Sequence, residues 1–358
     1  MPDPPERGGG SPGAGPGWNS PGRSHRMAAE AEGLMATINR RELFSAGAAL
    51  AAAPRAAAQN NGIPTRPLGK TGVEVSVLGL GGHHQARPKD ESESIRLVHA
   101  AVDAGITFMD NAWDYQNGRA EEVMGKALAM DGYRKRVFLM TKVCARDYNG
   151  AMQHLEDSLR RLRTDVIDLW QFHECNYYND PEFLMEKGGL RAALEAKKQG
   201  KVRFLGFTGH KHPRIHRKML ALDFPWDACQ MPINIMDHAF ESFRHEVAPE
   251  CQRRGIGVIG MKGCGGDGRM LADGVVTVEE CYRYFLSQPV SVQVVGLASM
   301  ADLERAVAIA RSFQPMTVAE MNTLLGRVRE VSGDGRYELF KTTQRFDAGL
   351  HRQQHGFT

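Results

Sequence analysis

The stretch SLRRLRTDVIDLWQFH (158–173) joins the end of a predicted helix to an apolar strand. In and just before it, Leu155, Leu159 and Leu162 recur at the i, i+4, i+7 spacing of one helix face. The segment VIDLW (166–170) is too continuously apolar for a half-exposed strand and is typical of a parallel strand covered by helices. The stretch therefore predicts one helix–strand unit of a parallel α/β fold.

The same alternation of short apolar strands and amphipathic helices continues along the chain after Gln59. Successive strand starts lie 26 to 36 residues apart, about the size of one βαβ step. Eight such units in about 250 residues predict an α/β fold of the (β/α)₈ TIM-barrel type. The predicted strands begin near Val73, Phe108, Arg136, Val166, Val202, Ala228, Ile256 and Ser291. The predicted helices include 91–104, 149–164, 180–199, 300–313 and, beyond the barrel, 317–331.

A doubly wound open sheet is the alternative fold, and its phosphate loop would lie at GLGG (79–82). The third glycine of the G-x-G-x-x-G fingerprint is missing, because position 84 is His84. The residues that follow, HHQARPKDE (83–91), are not expected to open a helix directly. We therefore interpret these glycines, Gly82 among them, as a close backbone approach at the mouth of the first barrel strand.

Composition excludes several classes of protein. The chain has 358 residues, of which 42% are hydrophobic and 24% charged, which excludes a collagen-like, coiled-coil or wholly disordered chain. A formal net charge of +3 without a long basic run argues against a nucleic-acid partner. No run of about 18 apolar residues is present, so stable membrane insertion is not expected. Six cysteines without a C-x-x-C pair argue against a zinc site, a disulfide framework or a ferredoxin-type iron–sulfur module.

The N-terminal residues differ in composition from the rest of the chain. Residues 1–26 contain seven Gly and six Pro. We interpret 1–34 either as a disordered tail or as the product of a start codon assigned too far upstream. The segment 59–358 is predicted to hold a barrel core over 63–313 and a C-terminal extension over 314–358.

Residues 35–58 have the layout of an export signal. An Arg40-Arg41 pair precedes a weakly apolar run, Leu43–Ala53, and small residues at 56–58 fit a cleavage site. The segment resembles a twin-arginine signal peptide, and an Ala-rich helix packed on the body is the alternative. The resemblance implies the twin-arginine translocase as a partner and a periplasmic or exported location after cytoplasmic folding. Without export the protein would be cytoplasmic.

Four polar side chains are predicted at the carboxyl ends of three consecutive strands. The second strand leads to Asp110 and Tyr115, the third ends in Lys142 and the fourth in His173. Each residue alone has an ordinary structural explanation. In a barrel, however, the carboxyl ends of the strands surround one mouth. The sequence therefore predicts that the four side chains share one site.

This combination suits the reduction of a carbonyl group by hydride. Tyr115 would protonate the carbonyl oxygen, although a tyrosine pKa near 10 is high for proton exchange at neutral pH. An adjacent Lys142 ammonium is expected to lower that pKa, and Asp110 to hold the ammonium charged and oriented. His173 would hydrogen-bond the substrate oxygen and fix its approach.

Three motifs resemble the aldo-keto reductase superfamily, and the resemblance extends over essentially all of 63–313. PLGKTGVEVSVLGLGG (67–82) resembles the family's N-terminal hairpin and first strand. D-N-A-x-x-Y (110–115) is similar to the D-T-A-x-x-Y signature, with Asn111 in place of Thr, and 158–173 is very similar to the family's third helix and fourth strand. The expected fold is thus a (β/α)₈ barrel with an N-terminal β-hairpin and a C-terminal extra helix and tail, and the family's four site residues are those named above.

The resemblance implies an NAD(P)H-dependent oxidoreductase that reduces an aldehyde or ketone to an alcohol, or catalyses the reverse reaction. NADP(H) is the family's usual cofactor. NAD(H) stays open, because Asp302 lies where family members often carry an arginine for the 2′-phosphate, and Arg305 is the residue that could replace it. A sugar or an aromatic carbonyl is compatible with the residues expected to line the pocket, which are Trp113, Asn176, Tyr177 and Tyr178.

The resemblance also implies a set of cofactor-binding residues at the strand ends. Thr208 and Gly209 replace a Ser-Asn pair that faces the nicotinamide, and Gln230 matches the glutamine that hydrogen-bonds its amide. Met261 lies where an aromatic residue often stacks on the nicotinamide, and a phosphate loop is expected before helix 300–313. The full predicted set is Gly82, Thr208, Gly209, Gln230, Met261, Lys262, Gly296, Ser299 and Arg305.

Two other functions stay open as alternatives. A metal-dependent barrel hydrolase or isomerase would use histidines near strand ends, since imidazole is a common metal ligand. Adjacent His83 and His84 point to opposite faces of a strand, however, and the last strand offers no carboxylate, so no metal ligands are assigned. The second alternative is a nucleotide-sensing barrel without catalysis, and the complete set of four site residues argues against it.

Overall fold

The computed structural model describes residues 62–357. The predictions for 1–34 and for the export signal at 35–58 therefore lie outside the described residues. Within the described part, no helix has the length and apolar character needed to cross a membrane.

Eight parallel strands close into a barrel, as the sequence predicts. Each strand pairs with the next in chain order, and the last pairs with the first, so the sheet has no free edge. An antiparallel hairpin of two short strands precedes the barrel. The hairpin strands are β1 (Thr65–Pro67) and β2 (Glu74–Ser76), and the barrel strands are β3 (Leu78–Gly81), β4 (Phe108–Asp110), β5 (Phe138–Val143), β6 (Ile167–Phe172), β7 (Val202–Thr208), β8 (Ala228–Pro232), β9 (Gly257–Met261) and β10 (Val292–Val295).

Helices connect the strands and cover the outside of the barrel. They are α1 (Gly82–Gln85), α2 (Glu91–Asp103), α3 (Arg119–Leu128), α4 (Tyr148–Leu162), α5 (Asp180–Glu186), α6 (Gly189–Lys198), α7 (Pro213–Ala221), α8 (Phe243–Glu246), α9 (Ala248–Arg253), α10 (Arg269–Ala272), α11 (Val278–Leu286), α12 (Met300–Arg311), α13 (Val318–Ser332), α14 (Leu339–Thr342) and α15 (Gly349–Gln354).

The structure corrects three local predictions. The strand expected near Val73 is the hairpin strand β2, and the first barrel strand begins later because only Val77 separates β2 from β3 in one apolar run. The predicted helix 180–199 is two helices, divided at Gly188, whose φ of +89° is a left-handed conformation. The one-turn helix α1 follows β3 directly, although 83–91 was not expected to open a helix.

Apolar side chains fill the interior of the barrel and are closed off by the hairpin. Gly69 of the hairpin turn has a φ of +53°, and a Cβ there would lie 2.4 Å from the backbone nitrogen of Gly257. This close approach lets the hairpin side chains enter the amino end of the barrel. The buried inner cluster consists of Leu68, Val75, Phe108, Phe138, Met140, Leu169, Ala228, Ile259 and Val292. A larger apolar cluster lies between the sheet and the helices.

Candidate active site

The alternation of side chains along the strands directs the predicted residues into the mouth of the barrel. Residues two positions apart on a strand point to the same face. Phe108 and Met140 belong to the inner cluster, so Asp110 and Lys142, two positions further along, point inward above them. Asp110 is 2% exposed and Lys142 is 1% exposed. The barrel therefore holds a buried charge pair at its carboxyl end.

Lys142 is the centre of the predicted group. Its Nζ lies 3.0 and 2.9 Å from the two carboxylate oxygens of Asp110 and donates to the carbonyl oxygen of Asn111 at 2.7 Å. The same Nζ donates to the hydroxyl oxygen of Tyr115 at 3.2 Å. Because the phenol accepts from Lys142, its own hydrogen is available to donate to another group. The structure thus brings Asp110, Tyr115 and Lys142 together.

A tight turn after β4 positions the tyrosine. Gln116, Asn117 and Gly118 have φ values of 46°, 54° and 94°. Glycine and asparagine adopt this left-handed region readily, whereas glutamine does so at some cost in strain. The side chain of Gln116 donates to the carbonyl oxygen of His83 at 2.8 Å and so holds the turn. The result is a tyrosine whose ring lies edge-to-face with that of His83, 5.2 Å between centroids.

The prediction that Lys142 lowers the pKa of Tyr115 is wrong for this structure. Burial, together with the negative charges of Asp110 and Asp114, raises the pKa of Tyr115 well above its ordinary value. Both oxygens of Asp110 already neutralise the Lys142 ammonium. The net charge beside the phenol is therefore not positive, and Tyr115 is held in its protonated form.

His173 joins the group from the end of β6. Its ring lies edge-to-face with that of Tyr115, with 5.4 Å between centroids. Its Nδ1 lies 2.9 Å from Oδ1 of Asp114, a residue that the sequence analysis did not assign although it stands inside the D-N-A-x-x-Y signature. Because Nδ1 is held by this carboxylate, Nε2 is the ring nitrogen left for a substrate.

Gln230 lies beside the group, but its present partners are protein groups. Its Nε2 donates to Oδ2 of Asp110 at 3.0 Å, and its Oε1 accepts from Nε2 of Gln171 at 3.0 Å. Gln171 points inward from β6, two positions after the inner-cluster residue Leu169. These two amides fix the carboxylate of Asp110 and leave one N–H of Gln230 for a nicotinamide amide.

The ends of β7 and β9 place Thr208, Met261 and Lys262 on the next part of the mouth. Thr208 and Met261 are neighbours, with Oγ1 and Sδ 4.0 Å apart. Lys262 follows β9, and its ammonium lies 5.2 and 5.3 Å from the ring centroids of Phe340 and Phe346. Burial lowers the pKa of Lys262 to about 8. Since no described carboxylate forms an ion pair with this lysine, it suits an anionic group of a ligand.

Three glycines assigned to cofactor binding are required by close packing. A Cβ at Gly209 would lie 2.4 Å from the carbonyl oxygen of Cys175, and one at Gly296 would lie 2.5 Å from Nδ1 of His84. At Gly82 it would lie 2.6 Å from a backbone oxygen of the second barrel strand, which agrees with the predicted close backbone approach. Packing within the barrel is therefore sufficient to explain all three.

The predicted phosphate loop before α12 contains a helix cap. Ser299 Oγ accepts from the backbone nitrogen of Asp302 at 3.2 Å and donates to its carboxylate at 2.8 Å. The Asp302 carboxylate also accepts from the nitrogen of Ala298 at 3.3 Å. A carboxylate thus lies beside the N-terminus of α12, where a phosphate would bind, and Ser299 already accepts from one of its N–H groups. Arg305 is exposed on the same helix.

The C-terminal extension lies over the mouth of the barrel, a feature that the sequence left open. The Asp347 carboxylate is buried and accepts hydrogen bonds from Nε2 of His210 at 3.1 Å and Nδ2 of Asn176 at 3.2 Å. It also accepts from the Tyr177 hydroxyl at 3.3 Å and pairs with Nζ of Lys211 at 3.0 Å. We call this set of contacts the Asp347 clamp.

Helix α15 continues the cover beyond the clamp. The backbone nitrogen of Ala348 donates to Oε2 of Glu174 at 2.9 Å. The ring of His351 is fully buried and lies edge-to-face with that of His173, with 5.5 Å between centroids. The extension therefore forms part of the wall of the site.

The extension also decides where the predicted lining residues lie. Asn176 and Tyr177 face it through the Asp347 clamp, and Tyr178 is 53% exposed. Trp113 instead stacks on His154 of α4 at 3.6 Å between centroids. The structure thus does not gather these four residues into one aromatic wall.

Comparison with known sequences assigns the family. The profile of the Aldo/keto reductase family matches residues 77–270, which is more than half of the chain. The chain belongs to the aldo/keto reductase family.

Curated relatives agree with this assignment. Aldo-keto reductase YhdN of Bacillus subtilis is 32% identical over 188 residues, which are 49% of this chain and 55% of that protein. The 6-dehydroglucose reductase of Novosphingobium aromaticivorans is 35% identical over 166 residues, 42% of this chain and 53% of that protein. The chain thus spans about half the length of these relatives.

Solved structures share the barrel. Aldo-keto reductase AKR11C1 from Bacillus halodurans, in its holo form, matches with a TM-score of 0.62 and 24% identity, over 74% of this chain and 96% of that one. The thermostable aldo-keto reductase Tm1743 matches with a TM-score of 0.62 and 23% identity, over 74% and 100%. At this level of identity the two matches establish the fold.

Proposed function

We propose that the protein is an NAD(P)H-dependent oxidoreductase that reduces an aldehyde or ketone to an alcohol, or catalyses the reverse. The observation that carries this proposal is the position of Lys142 Nζ, between the carboxylate of Asp110 and the hydroxyl of Tyr115 at the barrel mouth. Membership of the aldo/keto reductase family supports it. The metal-dependent hydrolase and the nucleotide sensor have no comparable support.

A nicotinamide dinucleotide fits the residues at one side of the mouth. Lys262 offers an ammonium without a carboxylate partner among the described residues, and Gln230 retains one amide N–H. Thr208 is paired with Gln230 across β7 and β8, and Met261 directly precedes Lys262. These four residues would hold the cofactor, which supplies the hydride when it is bound.

The protein groups would handle the proton and the orientation of the substrate. Tyr115 donates its hydroxyl hydrogen to the carbonyl oxygen of the substrate, since its oxygen already accepts from Lys142. The raised pKa of Tyr115 keeps the phenol protonated until that oxygen becomes basic. His173 presents Nε2 to the substrate beside Tyr115, because Asp114 holds its Nδ1. Asp110 keeps the ammonium of Lys142 in place.

NADP(H) is the proposed cofactor, with NAD(H) as the alternative. The family's usual preference supports NADP(H), whereas the acidic Asp302 at the start of α12 supports NAD(H). Dissociation constants for NADPH and NADH, measured by fluorescence titration, distinguish them. For the substrate we propose a small carbonyl compound, and the sugar reductase among the relatives makes oxidised sugars the first class to test.

Substitution of Tyr115 by phenylalanine tests the proposed function. A positioned general acid contributes about 10²- to 10⁴-fold to a rate, so Tyr115→Phe should lower kcat by at least about 10²-fold and leave the Kd of the dinucleotide nearly unchanged. The assay follows dihydronicotinamide absorbance with a panel of aldehydes, ketones and oxidised sugars. Tyr133→Phe, at a tyrosine just before the amino end of β5 and away from the mouth, is the matched control. An unchanged kcat in Tyr115→Phe would refute the assignment.

We also propose that the protein is exported by the twin-arginine translocase and carries its cofactor across already bound. The support is the Arg40-Arg41 pair and the apolar run that follows it in the sequence. Replacing both arginines by lysine should leave the protein in the cytoplasm of a host that has this pathway. Protein from the periplasmic fraction that releases no nucleotide on denaturation would contradict the bound cofactor.

A further inference from the structure

Four side chains of the types that bind metals meet beside His173, from four separate segments of the chain. They are Asp114 after β4, Cys144 after β5, His173 after β6 and His351 in α15. One ligand atom from each lies within 4.8 Å of those of the other three. Cys144, His173 and His351 are buried and Asp114 is half-buried, so protein atoms surround most of the cluster.

The distances within the cluster come close to those of a tetrahedral site. Zinc binds imidazole nitrogen at about 2.0–2.1 Å and thiolate sulfur at about 2.3 Å, which places neighbouring ligand atoms roughly 3.3–3.7 Å apart. Sγ of Cys144 lies 3.7 Å from Nδ1 of His173. Oδ1 of Asp114 lies 2.9 Å from the same nitrogen. A separation of that pair by roughly half an ångström would admit the ion.

The chemistry of the donors points to one class of metal. Two imidazoles, one thiolate and one carboxylate carry a combined charge that balances a divalent cation. Sulfur and nitrogen ligands in tetrahedral arrangement favour Zn²⁺ and related transition metals over Mg²⁺ or Ca²⁺, which prefer oxygen. This set of donors could not be predicted from the sequence, because they are far apart in the chain and form no short-spaced motif.

His351 supplies an independent indication of a ligand. It is fully buried, and its Nε2 has no hydrogen-bond partner in the described part of the chain. Native proteins leave few buried nitrogens in this state. The other ring nitrogen, Nδ1, lies 3.5 Å from Nη2 of Arg146, whose charge is neutralised by Asp180 at 2.8 Å. Nε2 is therefore the nitrogen of His351 that is free to bind a ligand.

We propose that Asp114, Cys144, His173 and His351 form a binding site for a divalent transition metal, with Zn²⁺ as the best-matched ion. The metal would join the C-terminal extension to three strand ends of the barrel. Bound at Nδ1 of His173, it would place that ring's proton on Nε2, the nitrogen left for the substrate. Metal binding itself does not depend on the proposed reductase activity.

Protons balance in the binding step. The thiol proton of Cys144 goes to solvent as the sulfur–metal bond forms. In the neutral rings of His173 and His351, the proton moves from the ligating nitrogen to the other one. In His351 the proton moves to Nδ1, which can then no longer accept from Nη2 of Arg146 at 3.5 Å. The Asp114 carboxylate binds without losing a proton, so one proton is released for each metal ion, and no electrons are transferred.

Cobalt substitution of the chelator-treated protein tests the site directly. Addition of Co²⁺ should produce the visible bands of a tetrahedral complex and a thiolate-to-cobalt charge-transfer band, and both should saturate at one equivalent. Elemental analysis after Zn²⁺ loading should give one Zn²⁺ per chain, with one proton released in weak buffer. Absence of the charge-transfer band from the unmodified protein would overturn the proposal, whatever the outcome of the reductase assays.

Matched variants assign the ligands. Cys144→Ser should abolish the charge-transfer band, whereas Cys175→Ser, at a buried thiol outside the cluster, should keep it. Loss of a partner of a metal ligand lowers affinity by about 10- to 100-fold, so loss of the ligand His351 should lower it by at least about 10²-fold. His355→Ala, at the end of the same helix, is its control. A band that persists in Cys144→Ser, or unchanged affinity in His351→Ala, would also overturn the proposal.

Discussion

Replacement of Asp347 by alanine is expected to release the C-terminal extension while the barrel stays folded. The carboxylate is buried, and of its four partners only Lys211 is a cation, because burial lowers the pKa of His210 to about 3. Removal of one partner from a buried ion pair costs about 3–5 kcal/mol. The Lys211 side chain is 18% exposed, so we take the lower figure, about 3 kcal/mol. This corresponds to roughly a 10²-fold shift toward the open extension.

Hydrogen exchange followed by mass spectrometry measures this shift. Peptides from the extension, 339–354, should exchange roughly 10²-fold faster in Asp347→Ala, whereas peptides from β5 and β6 should be unchanged. The control is Asp334→Ala, which removes an exposed ion pair with Arg336 from the same extension. Equal exchange of 339–354 in the unmodified protein and in Asp347→Ala would refute the role of the clamp.

Two further predictions concern charge and packing. The Kd of the dinucleotide should rise as the pH rises through about 8, because Lys262 loses its proton there. Lys262→Met should remove this pH dependence. A Kd that stays constant across that range in the unmodified protein would contradict the prediction. Gly125→Ala should lower the free energy of unfolding by about 2 kcal/mol, since its Cβ would lie 2.1 Å from the carbonyl oxygen of Arg161. Gly326 has open space around it, so Gly326→Ala should raise the free energy of unfolding by about 0.5–1 kcal/mol. Denaturant unfolding measures both, and equal effects of the two changes would contradict the packing argument.

The barrel could be predicted because its physical signal is local and repeated. Strands covered on both faces are mostly apolar, as VIDLW is at 166–170 apart from the ion-paired Asp168, and each is followed by a helix within a short step. The boundary at Val77 could not be predicted in the same way, since one buried residue between two strands leaves the apolar run unbroken. The break at Gly188 depends on a left-handed backbone that the helical pattern does not reveal.

The candidate site could be predicted only where strand geometry determines it. Asp110 and Lys142 were assigned because strand ends must meet at the mouth of a barrel. Their electrostatic effect on Tyr115 could not be predicted, since the sign of the net shift depends first on how deeply the folded chain buries the phenol and then on the charges of Asp110 and Asp114. The contribution of His351 depends on docking of the extension, which has no periodic signal in the sequence.

The Asp347 clamp and the ammonium of Lys262 should be coupled through the extension. Phe340 and Phe346, which belong to the extension, lie over the ammonium and help to bury it. Burial is the main cause of the lowered pKa of Lys262. The Asp347 charge itself raises this pKa, but its effect is smaller than that of burial. Opening the extension in Asp347→Ala should therefore return the pKa of Lys262 toward its ordinary value and move the pH dependence of dinucleotide binding upward. If the midpoint of this pH dependence stays at about 8 although hydrogen exchange shows that the extension is open, then other groups bury Lys262. The extension then does not control the pKa of this lysine.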